Sequence, residues 1–511
     1  MPDEHLPGLP SPPFDIHNLL TPRSFNHPVG RIELRETHIS WVILTGDWAY
    51  KIKKPVHLDF IDSSTLEQRR LLCEEEVRLN RRLAPEIYLD VAAIAAAGDD
   101  WIVGGTNTPV EYCVRMKQFP AQSELLALLL SKQATIEEID ALGELLGHFH
   151  LQAPVLAEPR GAHDRLSVLK SLTQLAAQMQ PMALCMQRLI GWTENAPQKL
   201  EEQLSLRERA GFVRECHGDL HAANIVRSDG RLIPFDCLEF DPGLRWIDTM
   251  NDIAFLAMDL ASHHRRDLAC VLLSRYLEVT GDYAGLRLLP YFAVYRTVVR
   301  ANVDTLMMQQ MPQRTEELDA RRNDRLLAAA AWIEPSTPIM ILMHGVSGSG
   351  KSWLSERLVA ALPAIRVRSD VERKRQADVA VSMYSDACTG RTYAHLLECA
   401  YSSLSIGLSI VVDATFLSGE ERSMFHAMAL RMRVPWLIVS CEAAPATLRA
   451  RLLERTAAGS DPSDAGVAVA TAQLASRQPF SAAEQQHVIA INTDAPDAIE
   501  RIVAAVHSKQ R

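Results

Sequence analysis

Pro338–Ser352, PIMILMHGVSGSGKS, decides the reading of this 511-residue chain. The apolar run Ile339–Met343 predicts a fully buried strand. It leads into Gly345-Val-Ser-Gly-Ser-Gly350-Lys351-Ser352, which fits the pattern GxxxxGK[ST], and then into the helical sequence WLSERLVAAL. Gly345, Gly348 and Gly350 let the backbone curl, so that its N–H groups, with those of Ser347 and Ser349, point at a polyphosphate. The helix that follows adds a favourable dipole there. Lys351 can then reach the β/γ-phosphates and the Ser352 hydroxyl can ligate Mg²⁺. A chance glycine-rich turn would not place strand, loop and helix in this order. The implied ligand is a nucleoside triphosphate.

Downstream, strands at 338–344, 364–369, 408–413, 435–441 and 487–492 alternate with helices. That alternation predicts a parallel sheet with helices on both faces. Ile410-Val-Val-Asp413 is an apolar strand ending in a carboxylate, so Asp413 is expected to approach the Mg²⁺ held by Ser352. Arg366-Val-Arg-Ser-Asp370 ends the second strand, where such sheets form their ligand crevice. Further on, Leu448–Arg455 places Arg451 and Arg455 four apart on one helix face, ahead of the polar loop Thr456–Asp464. A solvated basic face would have the same spacing.

Upstream lie more than 330 residues that this loop does not explain, and a single core does not serve a chain of this length. Pro335-Ser-Thr-Pro338 reads as a linker. Residues 1–29 read as a leader expected to be mobile, Pro-rich and acidic at its start, unlike a secretory or transit signal. Two short alternating strands, HISWVILTG and DWAYKIKKP, flank Gly46-Asp47, and a charged helix follows from Ser63 to Leu83. Strands at Ile87–Ala95, Trp101–Val103 and Glu111–Lys117 come next. Helical patterns then fill 121–210 and 245–332 on either side of CHGDLHAANIV and LIPFDCLEF.

Bulk properties narrow the class. The net charge of −10 argues against a general nucleic-acid or anionic-membrane binder. Nine scattered cysteines without a CxxC pair predict reduced thiols rather than a disulfide scaffold. No run approaches the ~18 apolar residues of a membrane span. A soluble cytoplasmic protein is the expectation.

His217-Gly-Asp219-Leu-His-Ala-Ala-Asn224 has the spacing HxDxxxxN, and Asp236 follows at the end of Leu232–Phe235. Phosphoryl transfer needs a carboxylate near the acceptor hydroxyl, and a second carboxylate plus an amide oxygen on the metal. One hairpin supplies that set. HGDLHAANIV followed by IPFDCLEF resembles the catalytic segment of aminoglycoside phosphotransferase-like kinases, relatives of the protein kinases, over roughly residues 30–330. The resemblance implies Asp219 as catalytic base, Asn224 and Asp236 as Mg²⁺ ligands, His217 as a brace of the loop, and Asp252 as a structural aspartate of the next helix. It also implies a strand lysine paired with a helix glutamate, and Glu111–Lys117 as the strand contacting adenine. Trp48-Ala-Tyr-Lys51 has the shape of the lysine strand, with Lys53 on the same face as the alternative. Glu76 best fits the glutamate position, although Glu74 or Glu75 could replace it. The glycine-rich loop of protein kinases is missing, and Thr37-His-Ile-Ser40 stands in its place.

The C-terminal part resembles the small P-loop kinases of the adenylate kinase-like group, which includes gluconate kinase-like and zeta toxin-like proteins, from about 337 to 508. This implies Asp370 as the group that orients the acceptor hydroxyl, Arg373 as an anion contact, and Arg451 and Arg455 as lid arginines that close on the transferring phosphoryl group. Together these readings predict two domains. Residues 30–334 form a protein kinase-like α+β fold, with a small β lobe and a helical lobe. After a linker at 335–338, residues 339–511 form an α/β P-loop NTPase with a parallel sheet. ATP and Mg²⁺ are the expected cofactors and a small molecule the expected phosphate acceptor, with neither nucleic acid nor membrane as partner. The alternative is that the N-terminal domain serves as a nucleotide-sensing or partner-binding module.

Overall fold

The computed structural model describes residues 14–58, 61–97, 100–158, 184–334, 336–376, 386–458 and 466–510. The chain forms two compact units, residues 1–133 with 214–247, and residues 134–213 with 248–511.

The first unit is built on an antiparallel sheet of β1 (Glu33–Glu36), β2 (Ser40–Leu44), β3 (Trp48–Lys53), β4 (Tyr88–Ala97), β5 (Asp100–Val103) and β6 (Pro109–Lys117). Their order is β1-β2-β3-β6-β4-β5. Helix α1 (Leu66–Asn80) begins at Thr65, whose side chain and that of Gln68 satisfy each other's backbone N–H groups in a capping box. Cys73 and Val77 of α1 pack with Ala49, Val114 and Met116 of the sheet. A second cluster joins Ile43, Tyr50, Ile52 and Ile94 to Ile16, Leu19 and Phe25. Residues 14–29 are therefore part of this lobe's core rather than a leader. Their apolar side chains sit on single 3₁₀ turns, Ile16–Leu19 and Pro22–Ser24, too short to leave a periodic signal. Residues 1–13 lie outside the described residues. The unit is completed by the hairpin of β7 (Ile225–Ser228) and β8 (Arg231–Pro234), turned at Asp229 and Gly230, both with positive φ.

The second unit starts with α2 (Ile136–Gln152), α3 (Leu184–Arg209), α4 (Thr249–Ser262), α5 (Arg266–Thr280), α6 (Leu289–Gln310) and α7 (Thr315–Ala331). A Cβ on Gly143 or Gly147 of α2 would meet Leu272 O at 2.7 Å or the Val279 side chain at 2.8 Å, so the two glycines let α2 and α5 cross closely. Five parallel strands follow: β9 (Met340–His344), β10 (Ala364–Arg368), β11 (Ser409–Asp413), β12 (Trp436–Glu442) and β13 (Val488–Asn492), in the order β10-β11-β9-β12-β13. Helices α8 (Lys351–Ala361), α9 (Ser369–Arg375), α10 (Asp386–Ser405), α11 (Gly419–Met432), α12 (Pro445–Ala458), α13 (Val467–Ser476) and α14 (Ala498–Gln510) connect or flank them. All five side chains of β9 are buried, as the apolar run requires, and Leu354, Leu358, Ile502 and Val506 pack in the core cluster with Ile341 and Met343. The parallel α/β P-loop sheet expected after the linker is thus present.

The stretch at 335–338 does not separate compact units. Helix α5 lies directly on β10: the Arg366 N–H donates to Ser274 Oγ at 3.1 Å, and Tyr283 Oη donates to the Arg366 carbonyl at 3.1 Å. Pro and Ser mark a local change in chain composition; they carry no information about which surfaces pack. Among the described residues no helix is long and apolar enough to cross a membrane.

Candidate functional site

In the first unit, β3 alternation puts Lys51 and Lys53 on the face that looks toward α1, and both reach one carboxylate. Lys51 Nζ lies 2.8 Å from Glu76 Oε1 and 2.6 Å from Asp236 Oδ1, while Lys53 Nζ lies 2.6 Å from Glu76 Oε2 and also pairs with Glu239. Glu76 and Lys53 are fully buried; Asp236 is 39% exposed, and Lys51 is the lysine that faces it. The three consecutive glutamates of α1 divide cleanly. Glu74 pairs with Arg70 on the surface, Glu75 with Arg78 and Arg245, and Glu76 alone meets the lysines. Burial opposes ionising Glu76, but Lys51 and Lys53 outweigh it and drive the carboxyl down to about 2. Burial likewise opposes charge on both lysines, and the surrounding carboxylates raise them nonetheless. Burial pushes Glu239 up, with Lys53 as the main offset.

The catalytic segment is folded by its own side chains. The His217 ring meets Phe235 O at 3.0 Å, and the Leu238 N–H donates to His217 O at 3.1 Å. Asn224 Nδ2 donates to Asp219 Oδ2 at 2.9 Å and Asp219 O at 3.0 Å. That bond turns the amide nitrogen toward Asp219 and leaves Oδ1 as the acceptor atom, the donor set a divalent cation requires. Asp236 sits at φ 62°, a conformation costly for a non-glycine residue and found where geometry is held for function. Its N–H donates to Tyr88 Oη at 3.1 Å. Asp219, Asn224, Asp236, Lys51 and Glu76 are thereby gathered in one unit. Glu111 does not join them; it is buried against Arg69 Nε at 2.8 Å. Asp252 is buried in the second unit, 3.1 Å from His150 Nε2.

In the second unit a cleft of ≈ 690 Å³ is lined by Ser347, Gly348, Gly350, Lys351, Ser352, Arg368, Asp370 and Asp413, among others. Gly345 has φ 139°, and a Cβ there would meet Ser349 Oγ at 2.7 Å and Cys441 O at 2.8 Å, so no side chain fits. Lys351 Nζ donates to Val346 O at 2.9 Å across the loop. Ser349 Oγ is buried with no hydrogen-bond partner among the described residues, a donor left over inside an anion-shaped loop. The Ser347 N–H is taken by Gln473 Oε1 at 2.7 Å. Asp413, at the end of β11, accepts from Ser355 Oγ at 3.0 Å and lies 3.9 Å from Arg368 Nε. The curled backbone, the leftover Ser349 hydroxyl and the Ser352–Asp413 oxygens fit a Mg²⁺-bound polyphosphate.

The family model described as AAA domain matches residues 340–480. The uncharacterized protein Rv2004c of Mycobacterium tuberculosis (strain H37Rv) is 30% identical over 475 residues, 88% of this chain and 92% of that one, and the uncharacterized protein Mb2027c of Mycobacterium bovis matches equally. The chain belongs to the same family as these mycobacterial proteins. Among solved structures, a choline/ethanolamine kinase family protein from Mesorhizobium loti aligns at 11% identity over 60% of this chain and 89% of that one, TM-score 0.38. A gluconokinase from Sinorhizobium meliloti aligns at 19% identity over 34% and 94%, TM-score 0.27.

In this chain the antiparallel-sheet unit that carries the Lys51–Glu76–Asp236 set and a parallel sheet with a phosphate loop share one polypeptide. Its remaining candidate residues fall as follows. Asp370 Oδ1 pairs with Arg373 Nη1 at 3.3 Å on the cleft wall. Arg451 also lines the cleft, but its guanidinium is tied to the end of β13 through Thr493 Oγ1 at 3.0 Å and through Asp494. Arg455 shares helix α12, and its side chain, like the loop 459–465, lies outside the described residues. Three features escaped the sequence reading. Lys53 has a partner of its own in Glu239, for which an acid three residues after Asp236 was the only signal. His221 Nε2 lies 3.4 Å from Asp219 Oδ2. Arg368 stands between Glu278 and Asp413.

Proposed function

We propose that the chain is an ATP-dependent phosphotransferase with two nucleotide sites, acting in the cytoplasm on hydroxyl groups of small molecules. The observation that carries this reading is the first unit's assembled set: Lys51 bridging Glu76 and Asp236, beside an Asn224 whose nitrogen is fixed on Asp219. Bound ATP with Mg²⁺ supplies the transferable phosphoryl group. Lys51 would hold the phosphates, Asn224 and Asp236 the metal, and Asp219 the acceptor hydroxyl, whose proton it accepts. In the second unit the loop 345–352 cradles the phosphates, Ser352 and Asp413 hold the metal, and Asp370 orients the acceptor.

The test is ATP consumption and acceptor phosphorylation in Asp219→Asn, Lys351→Ala and the double variant. Asn is nearly isosteric with Asp but cannot take the proton, so nucleotide binding in the first unit should persist while transfer there falls by about 10²–10⁴-fold. Turnover at the P-loop should persist in Asp219→Asn and vanish in Lys351→Ala. Equal loss of every activity in both single variants would mean one composite site and overturn the reading.

A further inference from the structure

Helix α5 lies outside the P-loop fold in sequence, yet it places a carboxylate against Arg368, which lines the P-loop cleft. Glu278 is 8% exposed, and its Oε2 lies 3.1 Å from Arg366 Nη2 while its Oε1 lies 3.2 Å from Arg368 Nη1 and 3.1 Å from Arg275 Nη1. The surrounding backbone is pinned as well. Arg375 Nη2 donates to Glu278 O at 2.6 Å and Nη1 to Val279 O at 3.1 Å. The Arg366 backbone is fixed by Ser274, nearly two turns before α5's end, and by Tyr283, just beyond it.

Arg368 thus stands between two carboxylates: Glu278 behind it, and Asp413, 3.9 Å from its Nε, in front. An arginine that closes fully on a carboxylate takes both oxygens in a bidentate pair. Asp413 engaged in that way would offer a divalent cation fewer free lone pairs and a charge already offset by the guanidinium. Glu278 supplies the competing carboxylate that keeps Arg368 withdrawn. We propose that Glu278 is a positioning residue of the P-loop site: it holds Arg368 off Asp413 and so keeps that carboxylate open to Mg²⁺. The inference rests on the reading of Asp413 as the metal carboxylate of a nucleotide site.

The experiment uses the full chain and a fluorescent ATP analogue titrated against Mg²⁺, counting only the binding that Lys351→Ala removes. Glu278→Gln should raise the Mg²⁺ midpoint by about tenfold, the usual scale for coupling between contacting charges, and leave binding of the metal-free nucleotide unchanged. Adding Arg368→Gln to Glu278→Gln should return the midpoint to the parental value, because the competing cation is gone. A merely structural role for Glu278 would not be suppressed by removing a second charge. Should Glu278→Gln fail to fold, Glu278→Asp, which keeps the charge on a shorter stem, should show a smaller rise with the same suppression. An unchanged midpoint, or a rise that Arg368→Gln leaves in place, overturns the proposal. Absence of any Lys351-dependent binding in the parent chain overturns the nucleotide-site reading and the inference with it.

Discussion

The two candidate sites hold their lysines in opposite ways. Lys51 is gripped by carboxylates 25 and 185 positions away in the chain, inside a buried set that also includes Lys53 and Glu239. Lys351 leans on a carbonyl five positions away, in a loop whose shape its own glycines dictate. The first site exists only when distant segments have met, so its assembly and the stability of its unit are one problem. The second has its phosphate loop as soon as a single strand, turn and helix have formed, with Asp370 and Asp413 added at the ends of later strands, and that loop can lose a side chain with little harm to the fold.

The sharpest way to break this contrast is to remove one lysine at a time. Lys53→Met leaves Glu239 buried without its ammonium and Glu76 with only one, and should cost about 3–5 kcal/mol, the usual range for a broken buried pair. Lys51→Met should abolish transfer in the first unit yet cost clearly less stability, because Glu76 keeps Lys53 and Asp236 is partly solvated. Urea unfolding of both variants checks this. Equal destabilisation would mean that the two lysines are not divided between anchoring and catalysis.

Mild acid should separate the sites next. Burial, reinforced by Arg477, pushes His344, the residue before the phosphate loop, down to about 4 from its ordinary 6.5. The unfolded chain takes up a proton between those values and the folded chain does not, so stability is lost as pH falls from 6.5 to 4, by up to about 3 kcal/mol. His344→Gln should remove that loss. Glu76, depressed to about 2, contributes stability that is complete above about 4.5 and is lost only below it. Hydrogen exchange at pH 5 should therefore rise around the phosphate loop before it rises around β3 and α1. The reverse order would contradict the contrast.

The smallest effect belongs to Lys351→Ala. Nucleotide binding at the P-loop should disappear while the unfolding free energy changes by less than about 1 kcal/mol, since Lys351 lines a cleft in which water can take the place of the ammonium. A loss as large as that of Lys53→Met would show that the loop is structural.

What could be read in advance follows the same division. The phosphate loop, the parallel strands and the hairpin bearing Asp219, Asn224 and Asp236 are legible because each is local: a turn, a period or a short spacing fixes it. Lys53–Glu239, Arg245–Glu75 and Glu278–Arg368 are not, because an ion pair between remote segments leaves no periodicity in either. The packing of Ile16, Leu19 and Phe25 was hidden for a related reason, three apolar side chains on isolated turns being too few to define a face. The Pro-Ser stretch at 335–338 marks a change in composition, and only the observed contact of α5 with β10 says what lies against what.

That contact has a consequence for the outer margin of the parallel sheet. Strand β10 is the last strand on its side, the position at which an unpaired backbone recruits foreign strands. Here the Arg366 N–H and C=O are both occupied by hydroxyls, those of Ser274 and Tyr283. A fragment that begins at 336 would strip those hydroxyls away, bare a sticky margin and strand two arginines without their counter-charge. One that begins ahead of Arg266 would keep that margin sealed, but would bare the face of α5 on which Gly143 and Gly147 of α2 pack, so the P-loop fold is best carried to another protein together with the helices before it.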